Sequence, residues 1–492
     1  MTTASDPKGT ALPAKTSPAR DSRWISLVLL CTGMLMIVLD GTVVNVALPS
    51  IQSDLAFSQS DLAWVVNAYM IAFGGLLLLA GRFGDLIGSK RVFMARLMVF
   101  TGASLLCGLS WNRELLIAAR FVQGSGGAMA SSVILAMIVT MFQKPAERAK
   151  AMGIFSFTAA AGGSIGLLIG GALTQALNWH WIFLINVPIG IGAAILAVRQ
   201  LESTPGIGLR DGADALGALL VTASLMIAVY TVVEIPVKGP ASAHTLGFGA
   251  VAVLLFAAFI ARQATAAKPL LPLRLFRSRN VTGTNVVQVL IVAGLFGFFF
   301  MDSLYLRRVL GYDAIHTGFA FLPITISIGA LSLPWASALP IRFGTRNVVV
   351  AGLGLATVGL VIFAVAPLGG AYVTTIFPAM LLLGIGIGAT FPSLMLLAMS
   401  SATASDSGLT SGLVNTTAQV GGAFGLAVLA TLATGRTRDL LSAGAHNETA
   451  LAAGYQLAFE AGVACLVVAV FISATVLQDS RSPAAHQTLP SA

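Results

Sequence analysis

Apolar runs of roughly 20 residues recur from Trp24 almost to the C-terminus, and each is long enough to cross about 30 Å of hydrocarbon as a helix. No other feature restricts the possible folds so strongly. A soluble chain of 492 residues needs far more surface charge than the 10% charged residues present beside 57% hydrophobic ones. The expected class is an all-α polytopic membrane protein with about fourteen transmembrane helices. A lipid bilayer is thus its first partner.

The basic residues give the orientation. With the N-terminus inside, cytoplasmic segments collect Lys8, Lys15, Arg20 and Arg23, then Arg82, Lys90 and Arg91, then Lys144, Arg148 and Lys150, and so on to Arg481. The outer loops keep Arg113, Lys238, Arg307, Arg308, Arg436 and Arg438. Both termini are therefore expected in the cytoplasm. The net charge of +9 is accounted for by this asymmetry and not by one soluble basic patch, which argues against nucleic acid as a partner. Residues 1–23 have no apolar core of their own and read as a disordered cytoplasmic tail instead of a signal peptide. Cys31, Cys107 and Cys465 lie in apolar runs without metal-site spacing and read as lipid-facing or packing residues; no metal site is expected.

Two internal echoes suggest related halves. TAAAGGSIGLLIGGAL (158–173) and TTAQVGGAFGLAVLATL (416–432) share GG-x-x-G-L at an offset of about 259 residues. DLIGSKRV (85–92) and IRFGTRNV (341–348) align Gly88 with Gly344 and Lys90 with Arg346 at about 256. The division expected is a six-helix bundle at 24–199, two linker helices within 200–265, a second six-helix bundle at 266–478 and a cytoplasmic tail at 479–492. Transporters built from repeated bundles place the substrate near the midplane between the repeats.

Charges inside spans carry the functional signal, because each is expensive in hydrocarbon. Asp40 lies well inside the first run. Three roles fit it: a proton-coupling acid, a hydrogen-bonded residue locking the first span to a neighbour through Arg120, or a substrate contact. Arg120, in the fourth span, keeps its charge and so suits tuning a carboxylate or forming a gate. Arg96, near a helix end, reads as a snorkelling anchor. Asp302 and Glu234, near outer helix ends, are secondary carboxylates. Asn415 and Gln419 share one face of the thirteenth span, and with Asn45 and Gln123 are candidate cavity residues. Trp64, Tyr69, Phe296 and Phe300 are candidate aromatic contacts for a ligand ring or a cation. In the turn GRFGDLIGSKRVF (81–93), Gly81 and Gly88 permit close approach, Asp85 can pair with Arg82 or cap a helix, and Lys90 and Arg91 add cytoplasmic charge.

These segments also carry a resemblance. GRFGDLIGSKRVF resembles the loop signature of the major facilitator superfamily. LDGTVVNVALPSI (39–51) is similar to the first-span signature of its fourteen-span drug:proton antiporters, the EmrB/QacA type. RFVQGSGGA (120–128), GGSIGLLIGGAL (162–173), WHWIFLINVPIG (179–190) and the segment 408–425 fall where that family has its fourth-span, antiporter, sixth-span and thirteenth-span signatures. The resemblance covers roughly residues 24–435. It implies two six-helix bundles plus two central helices, proton coupling at Asp40 and Arg120, a conformational switch in the 81–91 loop, and an antiporter helix marked by Gly162, Gly166, Gly170 and Gly171. It further implies a bacterial cell membrane, no cofactor beyond the proton gradient, and action as a monomer. The sequence departs from the family at Leu86 and Ser89, where arginines are usual, at Leu167, where proline is expected, and at His180, where arginine is common.

The leading functional expectation is proton-driven export of lipophilic drugs or an antibiotic. The alternative is a proton-coupled carrier of a polar metabolite on the same fold. The sequence contains no HExxH, GxSxG or P-loop pattern, so an enzyme is not expected.

Overall fold

Helix boundaries follow local chemistry throughout the computed structural model, which describes residues 20–58, 61–142, 144–201, 214–267, 269–332, 338–365, 372–400 and 407–479. The first helices are α1 (Arg20–Asp54), α2 (Trp64–Ile87), α3 (Ser89–Gly108), α4 (Arg113–Met141) and α5 (Pro145–Ala176), followed by the short α6 (Trp181–Leu184) and α7 (Asn186–Gln200). Next come α8 (Ala215–Lys238) and α9 (Ala243–Thr265). The remainder comprises α10 (Arg279–Arg308), α11 (Ala314–Ala320), α12 (Leu322–Ser332), α13 (Ala338–Phe343), α14 (Thr345–Ala364), α15 (Phe377–Ser400), α16 (Ser407–Ser442) and α17 (Asn447–Thr475). No strand occurs among the described residues. Asn112, Ser242, Ser278 and Asp313 cap α4, α9, α10 and α11 by accepting a backbone N–H in the first turn, which satisfies a donor the helix itself leaves unpaired.

Among the described residues, 11 helical stretches are long and apolar enough to cross a membrane. Helices α2, α4 and α5 match them in length at 24, 29 and 32 residues. Helix α1 begins at Arg20, so the last residues of the expected N-terminal tail are helical. The rest of that tail and residues 480–492 lie outside the described residues.

Close helix approach depends on glycine. Gly162, Gly166 and Gly170, one turn apart on α5, abut Leu35 and Val38, then Leu39 and Thr42, then Val43 of α1, and a Cβ at any of them would crowd those atoms. Gly421 and Gly425 of α16 abut Val289 and Ala293 of α10 in the same way. Small residues are the main means of bringing helices together where no hydrophobic effect drives them. The sequence echo thus corresponds to a repeated helix pair. The second echo is equally physical: Gly88 and Gly344 have φ of 96° and 84° and precede α3 and α14. Lys90 Nζ then donates to the carbonyls of Val198 (3.1 Å) and Leu201 (2.5 Å) at the end of α7. Arg346 likewise donates to the Ala474 carbonyl at the end of α17. Each cation sits at the negative end of a helix dipole.

Helices α8 and α9 pack on each other, with Ser224 Oγ donating to the Ala252 carbonyl at 2.8 Å. Helix α8 also contacts α2 and α16: Gly75 lies against Thr222, and Thr431 Oγ1 donates to the Val232 carbonyl at 3.0 Å. Helix α9 leaves Leu246, Val253, Leu254 and Phe256 exposed, a surface suited to lipid. Asp214 fixes where this pair begins. Its carboxylate accepts from the Gly217 amide (2.9 Å), Gln263 Nε2 (2.8 Å) and Arg262 Nε (3.0 Å). Burial acts to raise its pKa, but the Gly217 amide, Gln263 and Arg262 outweigh it and hold the carboxyl below the usual carboxylate range. That interaction is complete above the unfolded pKa of about 3.9 and is lost as pH falls through the lower folded value. Asp214→Ala should lower stability at neutral pH by about 1–2 kcal/mol, with the difference from wild type vanishing in strong acid, as thermal melts in detergent across pH would record.

Candidate functional site

Asp40 sits on α1 with no solvent exposure and is held on both carboxylate oxygens. Arg120 NH1 donates to Oδ2 at 2.5 Å and Gln123 Nε2 donates to Oδ1 at 2.7 Å. Arg120 and Gln123 lie three residues apart on α4 and so project from one face. The network closes around them. Arg120 NH1 also donates to Gln123 Oε1 (2.8 Å), and Arg120 Nε donates to the Val65 carbonyl of α2 (2.9 Å). Gln123 Nε2 donates in addition to Ser104 Oγ of α3 (2.9 Å), whose own proton goes to the Phe100 carbonyl (2.7 Å). Cys107 Sγ approaches Gln123 Oε1 at 3.6 Å. The guanidinium carbon of Arg120 lies 4.4 Å from the Tyr69 ring centroid and 5.6 Å from that of Phe183. One ion pair therefore joins α1, α2, α3 and α4, its remaining donors and acceptors supplied by neutral groups as a buried charge requires.

Arg96 differs from expectation. It does not snorkel: it is fully enclosed, with NH2 donating to the Gly33 carbonyl at 2.6 Å and its guanidinium carbon 5.3 and 5.7 Å from the Phe93 and Phe100 ring centroids. A Cβ at Gly33 would strike the guanidinium, so that glycine makes room for it. Arg96 Nε and NH1 have no hydrogen-bond partner among the described residues. Gly33 is two turns from Asp40 along α1, so one helix touches both buried cations of this region.

At one end of the bundle, α1 is latched to α10. Ser303 Oγ donates to the Asn45 carbonyl at 2.5 Å, Arg307 NH1 to the Val46 carbonyl (3.2 Å) and Ser50 Oγ (3.1 Å), and Arg308 to Gln52 Oε1. Nearby, Ile315 N donates to Gln175 Oε1 at 3.2 Å and Gly171 abuts Ala314, joining α5 to α11. Arg307 and Arg308, assigned from sequence to an outer loop, are in fact the last residues of α10. Arg436 and Arg438 likewise lie within α16.

The other candidate residues are distributed as follows. Gln123 and Tyr69 surround the ion pair. Asn45 donates to the Gly41 carbonyl at 3.2 Å and is nearly enclosed. Phe300 is fully enclosed in the core, which leaves it no free face for a ligand in this conformation. Trp64, Phe296 and Gln419 are half-buried and Asn415 is exposed. Glu234 is half-buried on α8, and Asp302 on α10 has no exposure at all. Arg91 is exposed, while the side chains of Arg82 and Asp85, together with Gly81, lie outside the described residues. Leu167 is buried within an unbroken α5, and its carbonyl faces Gly318. Sequence reasoning missed Ser104; Cys107, expected to face lipid or to pack, is enclosed beside Gln123 three residues further along α3.

A family model described as the Major Facilitator Superfamily matches residues 30–426. The chain is 36% identical to the puromycin resistance protein pur8 of Streptomyces alboniger over 475 residues, covering 95% of this chain and 93% of that one. It is also 36% identical to the cephamycin export protein CmcT of Amycolatopsis lactamdurans, covering 97% and 96%. Among solved structures, a bacterial homologue of the human lysosomal transporter Spinster, inward-facing and unoccupied, superposes with a TM-score of 0.67 at 16% identity, covering 95% of this chain and 100% of that one. The POT family transporter PepTSo gives 0.66 at 15% identity, covering 92% and 98%.

The Asp40–Arg120 geometry generates a stability test. Arg120→Met strands an enclosed carboxylate and should destabilise the protein by about 3–5 kcal/mol. Replacing both partners, Asp40→Leu with Arg120→Met, should recover most of that loss. A double-mutant cycle on thermal unfolding decides it; strictly additive losses would refute the coupling.

Proposed function

The chain belongs to the major facilitator superfamily, and from that premise we propose that it is a proton-coupled efflux transporter of lipophilic drugs or antibiotics, working by alternating access in a bacterial cell membrane. The observation that carries this reading is the enclosed Asp40–Arg120 pair. A carboxylate matched to one permanent cation loses that match when it takes up a proton, so a single proton changes the balance among α1, α2, α3 and α4. Helix α1 also carries the latch residues 45–52, one to three turns beyond Asp40, and runs along the glycine face of α5. Proton binding at Asp40 and closure of the latch are thereby linked through one helix. The relatives that export or resist antibiotics support the substrate class.

We read α2, α4 and α5 as three further spans, giving fourteen, with α8 and α9 between two six-helix halves. The charge asymmetry supports a cytoplasmic location for both termini. The latched end then faces outward, and this conformation is closed to the outside. Proton movement needs no cofactor, and one monomer contains both halves of the pathway.

Proteoliposomes with a pH dye inside and an imposed proton gradient test this reading. Lipophilic cations and neutral antibiotics should dissipate the gradient through the wild type, and Asp40→Asn should reduce that flux by about tenfold or more. Equal responses from both proteins would remove Asp40 from the pathway. A response to polar metabolites alone would replace the exporter with a metabolite carrier.

A further inference from the structure

Asp302 is the counterexample to Asp40. It has no solvent exposure, and neither carboxyl oxygen has a hydrogen-bond partner among the described residues. The preceding turn of α10 packs into an aromatic cluster: Phe298 lies 4.9 Å from Phe363 and 6.0 Å from Phe459 by centroid, and Phe299 lies 5.7 Å from Phe321. Among the described residues, none of the charged groups near this part of α10 pairs with Asp302. Tyr372, ahead of α15, senses Asp302 electrostatically, but its hydroxyl donates to the Ala320 carbonyl at 3.2 Å; Tyr312 lies beside Tyr372. Arg307 and Arg308 turn to α1, Tyr455 of α17 neighbours Arg308, and Asp313 and His316 of α11 pair with each other. Helix α16 presents Gly421, Gly425 and Leu429 to α10, and α1 presents Asn45, Val46 and Ser50.

An ionised carboxylate so placed has lost its water and gained nothing in return. A neutral carboxylic acid is the form that the packing tolerates. The position of the acid then gives it meaning. The next residue, Ser303, holds the Asn45 carbonyl, and Arg307 and Arg308 hold the rest of the latch.

We propose that Asp302 is a second proton-binding site, separate from Asp40, occupied while α1 and α10 are latched and vacated when they part. The ligand is a proton, and the step is a simple ionisation: the O–H bond breaks and the proton passes to water admitted at the opened end of α10. Asp302 thus acts on the latch. It makes no contact with substrate.

The test uses the full chain in lipid nanodiscs. Infrared spectra at neutral pH should show a carboxylic C=O band in the wild type and in Asp40→Asn that is absent from Asp302→Asn. Hydrogen exchange, corrected for intrinsic rates, should show the outer ends of α1 and α10 losing protection in the wild type between mildly acidic and mildly alkaline pH. Asp302→Asn, a permanently neutral isostere, should stay protected throughout. Asp302→Ser supplies the same comparison should the asparagine disturb folding, and Asp302→Glu should restore both signals. A band unchanged by removing the acid, or protection that is independent of pH or identical in wild type and neutral variants, overturns the proposal. Neither readout requires drug-driven proton flux, so failure of the antiport reading is recognised separately in proteoliposomes.

Discussion

The salt bridge between Asp40 and Arg120 constrains the N-terminal helices more than any other contact. Two opposite charges with 0% and 1% side-chain exposure lie 2.5 Å apart. Desolvation of such a pair offsets most of its attraction, and well-packed apolar residues of similar volume often do as well or better for stability. The pair is therefore poorly explained as a stabiliser. What it does provide is a fixed junction of four helices, held in place by Val65, Gln123, Ser104 and the Tyr69 ring.

Along α5, Gly162, Gly166 and Gly170 meet α1 with no side chains of their own, so the interface is a smooth groove without interlocking knobs. The expected proline is replaced by Leu167, and α5 runs unbroken through that point. Helices α10 and α16 repeat the arrangement through Gly421 and Gly425, and the two halves meet where α1 joins α10, where α5 joins α11 and where Gly74 of α2 abuts Gln419 of α16.

Much of this was legible in the sequence, because hydropathy and glycine spacing are properties of single helices. The spans and the paired echoes followed from hydropathy and from small residues at fixed intervals, and the pairing of Asp40 with Arg120 was among the roles its charge allowed. Rotation about a helix axis was not legible. Tyr69 and Gln123 were read as cavity residues, yet they face neighbouring helices and serve the ion pair. Arg96 looked like an anchor because it lies near a helix end, but Gly33 opens a pocket for it inside the bundle, and that depends on a helix 63 residues away. Arg307 and Arg308 looked like loop charges because sequence alone does not reveal that α10 continues through them to reach α1.

The halves share a frame but distribute their charge differently. Aligning the glycine contacts pairs Leu35 with Val289 and Leu39 with Ala293, an offset of about 254 residues that brings Asp40 opposite Gly294. Among the described residues the C-terminal half has no buried acid at the equivalent depth: Glu460 of α17, two residues before the Gly462 that meets Gly294, is exposed, and the buried Asp302 comes about two turns later on α10, next to the latch. In the N-terminal half the acid is paired with Arg120 and lies deep in the bundle. In the C-terminal half the acid has no hydrogen-bond partner among the described residues and lies beside the contact between α1 and α10. A duplicated scaffold thus sets two buried acids in different surroundings, one compensated inside a bundle and the other uncompensated beside a contact between bundles.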